Sequence, residues 1–408
     1  VPLEPIRYGR DVRPILSDRC FICHGPDKEK RHADLRLDSF EEATKARPEG
    51  AAIVAGNAQA SNLLQRITSD DPKFMMPPPD STKHSLDAAQ REIIRRWIDD
   101  GAQYESHWAF TAPTRPVPAT PNNTQWSANE IDRFLLARME KAGVGPSPPA
   151  ERTTLVRRIF LDLTGLPPTP QEIESFVRDA SPDARAKLID RLMSQEPYRS
   201  RYAERMAVPW LDIARYADTS GIHMDAGRSI WLWRDWVINA FKDNKPYDQF
   251  IIEQLAGDLI PSATSAQMIA SGFNRNHVTS DEGGAINEEY LLEYAVDRVA
   301  TTGAAFMGLS VQCARCHDHK FDPITSEDFY GMIAFFNSNE EPGIYAQSTD
   351  AYRSLEPSID VPTPEQTKQL EDVKQTLVAL TAERDQATPE EAQEFDNYRA
   401  DFVSPKEI

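Results

Sequence analysis

Cysteine is scarce in this chain, with four residues among 408. That excludes a disulfide-stapled scaffold, which packs many half-cystines into a short sequence. Long apolar runs are missing too. No stretch approaches the roughly 18 residues that a bilayer-crossing helix needs, so no membrane span is expected. Positive charge is in deficit, with 45 Lys and Arg against 64 Asp and Glu and a net charge of −19. Such an excess of negative charge repels phosphate backbones and anionic membrane surfaces, and nucleic acid is excluded as a partner. There is no H-E-x-x-H, no G-x-S-x-G, no Walker sequence and no EF-hand spacing. Strand alternation and Gly-rich phosphate loops are absent as well, so a mostly α fold is expected.

The four cysteines fall into two copies of one pattern. Cys20-Phe21-Ile22-Cys23-His24 and Cys313-Ala314-Arg315-Cys316-His317 both read C-x-x-C-H. Two thiols one helical turn apart can reach the two vinyl groups of one porphyrin, and the next residue puts an imidazole under the iron. The expectation is two covalently attached haems c, carried by Cys20 with Cys23 and by Cys313 with Cys316. His24 and His317 would ligate the iron. A single four-cysteine zinc site would join pairs far apart in the chain and leave both histidines unexplained. Thioredoxin-like chemistry wants a βαβ context that neither flank offers, and a disulfide within C-x-x-C closes a short, strained loop. Bacterial haem is attached outside the cytoplasm, so an exported, periplasmic protein is expected. The start at Val1 reads as a chain whose signal peptide has been removed.

Residues 1–110 read as a class I cytochrome c domain. A helix with Ile6, Val12, Ile15 and Leu16 leads into the first motif. A second, Asp87 to Asp100, carries Ile93, Ile94, Trp97 and Ile98 at helical spacing, between a capping Asp87 and a terminating Gly101. Between them runs Phe74-Met75-Met76-Pro77-Pro78-Pro79. A Met on a stiff proline loop can be held against a haem face, where its thioether raises the potential. Met76 is the expected distal ligand, with Met75 as its rival. Residues 111–126 are Pro-rich without periodicity and read as a linker.

Residues 127–345 read as a larger α-helical second haem domain. Capping signals stand at Ser127-Ala-Asn-Glu130, Thr169-Pro-Gln-Glu172 and Ser181-Pro-Asp183, and a helix from about Glu288 to Leu309 delivers the second motif. Polar residues crowd this unit. Asp212, Arg215, Asp218, His223, Asp225, Arg228, Arg234 and Asp235 form one group, and His277, Asp281, Glu282, Glu288 and Glu289 a second. Such groups suit either a pocket for proton transfer or sugar binding, with Asp218, Asp225, Arg228 and His277 as candidate catalytic residues, or a network of ion pairs and caps. Residues 346–408 read as a linker and a helical segment. Leu370, Val373, Leu377 and Leu380 make a seam that suits a helical partner, such as the chain's own C-terminal half as a separate polypeptide, or packing back on the second unit.

Together these segments carry a family resemblance. Asp11-Val-Arg-Pro-Ile-Leu-Ser, Cys20-x-x-Cys-His-Gly-Pro, Leu35-Arg-Leu-Asp38, Met76-Pro-Pro and His107-Trp-Ala-Phe110 resemble the planctomycete-type cytochrome c (PSCyt) domain. Leu161-Asp-Leu-Thr-Gly-Leu-Pro-Pro168, Trp210-Leu-Asp-Ile-Ala-Arg-Tyr-Ala-Asp218, Gln254-Leu-Ala-Gly-Asp-Leu259 and Cys313-Ala-Arg-Cys-His-Asp-His-Lys-Phe-Asp-Pro323 resemble the domain that follows it. The resemblance implies exported multidomain proteins linked to polysaccharide breakdown, without a settled reaction, and a further C-terminal domain.

Three functions compete on this reading. One is electron transfer or haem-dependent oxidoreduction with a redox partner protein. Another is a carbohydrate-active enzyme cleaving a polysaccharide or oligosaccharide through carboxylates, with haem structural or regulatory. The last is an electron-carrying or scaffold module of a larger complex. The sixth ligand of the second haem separates them. His107 and His277 rank above Met332, beside an open site, while His319 stands too near His317 to reach the opposite face and should contact a haem propionate or pair with Asp318 or Asp322.

Overall fold

The computed structural model describes residues 5–122, 126–350, 352–386 and 388–400. The start at Val1 and residues 123–125 of the Pro-rich segment lie outside them. Among the described residues there are seventeen α-helices and no strand longer than an isolated bridge. No helix is long and apolar enough to cross a membrane among them.

The first apolar cluster gathers α1 (Arg13–Arg19), α2 (Phe21–His24), α3 (Phe40–Thr44), α4 (Asn62–Thr68) and α5 (Ala88–Asp99). A π-turn, Tyr8–Val12, precedes α1, so the expected first helix is entered through a wider turn. Asp87 caps α5 by accepting from the Gln90 N–H, and the Gln90 side chain returns the bond. Gly101, at φ +99, supplies the left-handed residue that ends this stretch. The α5 stripe of Ile94, Trp97 and Ile98 is buried against Val12, Leu16, Leu64 and Ile67, and Cys20 packs on the same cluster.

In the second unit, α6 (Glu130–Lys141) and α7 (Arg152–Thr164) are followed by α8 (Pro170–Arg178), α9 (Ala184–Ser194) and α10 (Tyr198–Ile213). Then come α11 (Trp231–Lys242), α12 (Tyr247–Ala256), α13 (Ser265–Ala270), α14 (Asn287–Thr302) and α15 (Ser326–Ile333). Helix α10 joins two cores. One is built by α7 to α9 around Phe160, Phe176 and Leu192, the other by α11 to α13 around Trp233, Trp236 and Phe250. A third core, under α14 and α15, holds Val296, Val299, Val311, Ala314 and Phe329.

Two expected caps fall elsewhere. Asn129, not Ser127, accepts from the Asp132 N–H to start α6, and Asp183, not Ser181, stands at the N-cap of α9. In each case the residue adjacent to the first helical turn takes the place of the one further upstream. The expected Glu288–Leu309 helix stops at Thr302, and the π-turn Gly303–Met307 ends at Gly308 with φ +65. Met332 packs against the third core. The last helices are α16 (Pro364–Gln386) and α17 (Pro389–Ala400). The seam residues Leu370, Val373, Leu377 and Leu380 of α16 are exposed rather than packed back on the second unit.

Candidate haem-attachment sites

The first motif is a helical turn built into a core. Cys20 donates its N–H to Leu16 O at 2.8 Å, and His24 donates to Cys20 O at 2.8 Å, so both thiols and the imidazole share one turn. The chain then folds back over it. His32 donates to Cys23 O at 2.7 Å, Leu37 donates to His24 O at 2.8 Å, and Arg31 Nε binds Gly25 O at 3.0 Å. Gly25 is required there, because a Cβ would stand 2.3 Å from Phe21 O.

This donor set fits a haem c. Cys20 and Cys23 are free thiols rather than a disulfide. Burial, reinforced by the neighbouring Cys23 thiol, pushes Cys20 up to about 12. Burial also holds the His24 imidazole below its ordinary value, which keeps it in the neutral form that a metal requires. His24 Nδ1 is buried without a hydrogen-bond partner. The loop carrying the candidate distal ligand is tied to α4. Met76 donates its N–H to Arg66 O at 3.0 Å, Met75 donates to Asp71 O at 2.8 Å, and the Arg66 guanidinium lies 4.4 Å from the Phe74 ring centre. Both methionines are half-buried.

The second motif is a surface turn. Gln312–Arg315 is 3-10, closed by Cys316 N–H to Cys313 O at 3.4 Å, and Cys313, Cys316 and His317 are all exposed. Only Ala314 enters the core. Arg315 clamps the turn to α14 through two bonds to Glu293, at 2.9 and 2.5 Å, and the Tyr330 hydroxyl of α15 donates to Arg315 O at 3.0 Å. His317 Nδ1 faces Asp318 O at 2.8 Å. A carbonyl only accepts, so Nδ1 carries the proton and Nε2 keeps its lone pair, the form that binds a metal.

The two motifs meet at a junction. Arg13 of α1 donates to Phe321 O, Ser17 Oγ donates to Lys320 O at 3.1 Å, and Lys320 Nζ stands 3.6 Å from Asp18. His107 Nε2 pairs with Asp322 Oδ1 at 2.9 Å, while its Nδ1 accepts from the Ala109 N–H at 3.3 Å. His319 Nδ1 lies 3.2 Å from the other Asp322 oxygen but accepts from the Asp322 N–H at 2.9 Å, so it meets Asp322 through the backbone rather than as a donor to its carboxylate. A cavity of about 170 Å³ sits here, lined by Arg13, Ser17, Glu105, His107, Phe321 and Asp322 among others.

The four candidate catalytic residues are placed less alike. Arg228 is buried and donates to Ala217 O, His277 O and Asn276 O at 3.1, 2.7 and 3.2 Å. His277 is fully buried, with Nε2 2.7 Å from Arg298 Nη2 and Nδ1 2.8 Å from Val278 O. Arg298 in turn binds Glu341 Oε1 at 2.5 Å. Burial lowers His277 to about 4, so it is a neutral member of a buried ion network. Asp218 and Asp225 are exposed and locally engaged, Asp218 by the Tyr216 hydroxyl and Asp225 by the Gly221 N–H, at 2.5 and 2.7 Å. Asp218 and Arg228 are joined through the backbone, Arg228 N–H to Asp218 O at 2.9 Å. Sequence reasoning missed Glu341 and the crossing of Arg13 and Ser17, because a long-range partner has no periodic signal. It grouped His223 with one segment and Asp281 with another, yet Nδ1 of His223 lies 2.8 Å from Asp281 Oδ1.

Residues 20–80, from the first motif through the Met76 loop, match PSCyt1, Planctomycete cytochrome C. Residues 130–341, just over half the chain, match PSCyt2, described as a protein of unknown function (DUF1549). The chain belongs to the PSCyt2 family. Its N-terminal region makes this PSCyt2 protein a c-type cytochrome with covalently held haem c. No curated protein and no solved structure matches it.

Proposed function

We propose that this PSCyt2 protein is an exported dihaem cytochrome that relays electrons between its two C-x-x-C-H sites and a redox partner protein. Its units are residues 1–110 and 127–345, joined by 111–126 and followed by a partner-seeking segment, 346–408. A haem at each motif would supply one-electron chemistry at iron. The protein's part is to hold the two attachment turns together, and one observation carries the reading. Ser17 lies three residues before Cys20 and Lys320 three residues after His317, and a single 3.1 Å hydrogen bond joins Ser17 Oγ to Lys320 O. The exposed second motif is then the face open to a redox partner or an oxidisable substrate.

Cleavage of a polysaccharide by Asp218, Asp225, Arg228 and His277 is less well supported, since two are buried in structural networks and two are tied to their own loop. The test is a pyridine haemochrome count followed by anaerobic titration with candidate oligosaccharides, watched by haem absorbance. Two haems per chain, both surviving denaturation, are expected. One haem would end the dihaem reading, and reduction by an oligosaccharide would make the relay the acceptor side of a glycan oxidase.

A further inference from the structure

Away from both C-x-x-C-H turns, the loop between α10 and α11 presents a histidine backed by a buried carboxylate. Residues 219–227 close on themselves through an antiparallel bridge between Thr219 and Gly227. Asp225 Oδ1 accepts the Gly221 N–H at 2.7 Å and pins the loop from inside. A parallel bridge, Gly221 to Thr279, and the Thr279 N–H to Ser220 O bond at 2.9 Å lock it to the segment that precedes α14. Gly221 makes that approach possible. Its φ is +91, and a Cβ would stand 2.8 Å from a Val278 methyl.

Within this loop two ordinary L-residues are held in the left-handed region, His223 at φ +56 and Asp225 at φ +51. Such conformations are uncommon for residues that carry a side chain and persist where the surroundings over-determine them. What the strain secures here is the aim of one imidazole. His223 Nδ1 meets Asp281 Oδ1 at 2.8 Å, with Asp281 2 % exposed and the His223 side chain 33 % exposed. Asp281 Oδ2 is buried with no hydrogen-bond partner, as is Thr279 Oγ1 beside it. His223 is thus the one group among the described residues that engages this buried carboxylate through its side-chain oxygens.

A carboxylate accepts and does not donate, so the Nδ1 facing it carries the proton and Nε2 keeps a lone pair directed away from Asp281. No hydrogen bond to Nε2 exists among the described residues. We propose that His223 and Asp281 form a proton-transfer pair, with His223 Nε2 as the general base toward a hydroxyl-bearing ligand or water, and Asp281 as the positioning residue that fixes the tautomer. In the step, the ligand's O–H bond breaks, its electron pair stays on oxygen, and the proton forms the new Nε2–H bond. Asp281 balances the imidazolium that results. The other charged groups around the pair are Asp225 in the same loop, Glu282 next to Asp281, Arg228 under residues 275–277, and Arg353, which donates to Ser220 Oγ at 3.3 Å. This site owes nothing to the haem reading, and its test reads neither iron nor redox chemistry.

The test uses the full haem-loaded chain and p-nitrophenyl acetate as the probe. Water gives its proton to Nε2 while its oxygen bonds to the acyl carbon, nitrophenolate leaves with the bonding pair, and the imidazolium returns its proton to solvent. His223→Gln and Asp281→Asn should each slow hydrolysis by about tenfold or more, with His84→Gln, an exposed histidine elsewhere, as the reference. Ring ¹⁵N spectra of histidine-labelled protein should show His223 as the Nδ1–H tautomer, lost in Asp281→Asn. Wild-type hydrolysis by His223→Gln would overturn the proposal. So would an Nε2–H tautomer in the unaltered chain, a readout that does not depend on how well either variant folds.

Discussion

The two C-x-x-C-H turns share a pattern and almost nothing else. The first closes an α-turn from Leu16 through His24, rests Cys20 on an eighteen-residue apolar cluster and is roofed by the loop to Leu37. The second is a 3-10 turn that buries only Ala314, exposes both thiols and its histidine, and is held from below by Glu293 and Tyr330. Five residues specify which atoms can bond a porphyrin. They do not specify whether that porphyrin becomes the core of a domain or lies on its rim. Flanking residues decide this. Leu16 before the first motif and Leu37 well after it are buried in its cluster, whereas Lys320 and Asp322 after the second motif engage the junction.

The sharpest way to break the contrast is to remove each pair of thiols. Replacing Cys20 and Cys23 by Ala should drop the haem count by one and lower the melting temperature by about 10 °C or more, as expected for loss of on the order of 2 kcal/mol from a buried core. Replacing Cys313 and Cys316 should drop the count by one with little thermal cost, because those side chains are exposed. Equal losses in haemochrome and calorimetry would show that the second haem is as much a core element as the first.

Next comes the residue after each motif. Gly25→Ala forces a Cβ against the Phe21 carbonyl and should cost about 2 kcal/mol by denaturant unfolding. The corresponding place after the second motif already holds a full side chain, Asp318, whose carboxylate caps the Ser326 N–H at 2.9 Å. If Gly25→Ala is neutral, the roof over the first motif is looser than its hydrogen bonds require.

Acid should separate the two units as well. Burial alone would raise the Glu341 carboxyl, but the His277 ring 3.4 Å away and the Arg298 guanidinium bound to it outweigh burial and hold it at about 2. Burial, against the pull of Glu341, holds His277 at about 4. Both folded values lie below the ordinary ones of 4.5 and 6.5, so in each window the unfolded chain binds more protons. The His277 contribution is complete above pH 6.5 and fades toward pH 4, and that of Glu341 is complete above pH 4.5 and fades toward pH 2. Melting temperature should therefore fall in two stages on acidification, and His277→Gln should remove the upper stage. An unchanged upper stage would place its origin outside this network.

How much of this was legible beforehand depends on whether the signal is local. The all-helical class, the caps at Asp87 and Thr169, the stripe on α5 and both motifs are local, since a helix repeats its neighbours every three or four residues. The loop from Ala214 to Ile230 shows the opposite. Its His223 and Asp225 stood in one polar group and Asp281 in another, and only the bridge from Gly221 to Thr279 reveals that His223 faces Asp281. The Arg298–Glu341 pair was illegible for the same reason, as nothing in either segment marks the other as its partner.

The smallest expected effect lies at the junction, where His107 was ranked as a sixth ligand for the second haem. Its Nδ1 accepts from the Ala109 N–H, so the proton sits on Nε2 and points to Asp322. An imidazole in that tautomer latches the loop after the second motif onto the first unit and offers no lone pair from Nε2. His107→Ala should then cost about 1 kcal/mol or less, the scale of one partly exposed charge-assisted bond, and leave the spin state of both haems as it was. Asp322→Asn should likewise cost about 1 kcal/mol or less and leave both spin states unchanged, because neither residue reaches iron. A low-spin to high-spin change in one haem, seen in His107→Ala but not in Asp322→Asn, would show instead that the ring turns onto iron when the haem is bound. The latch would then be a ligand, and the two motifs would be joined through the second haem itself as well as through Ser17 and Lys320.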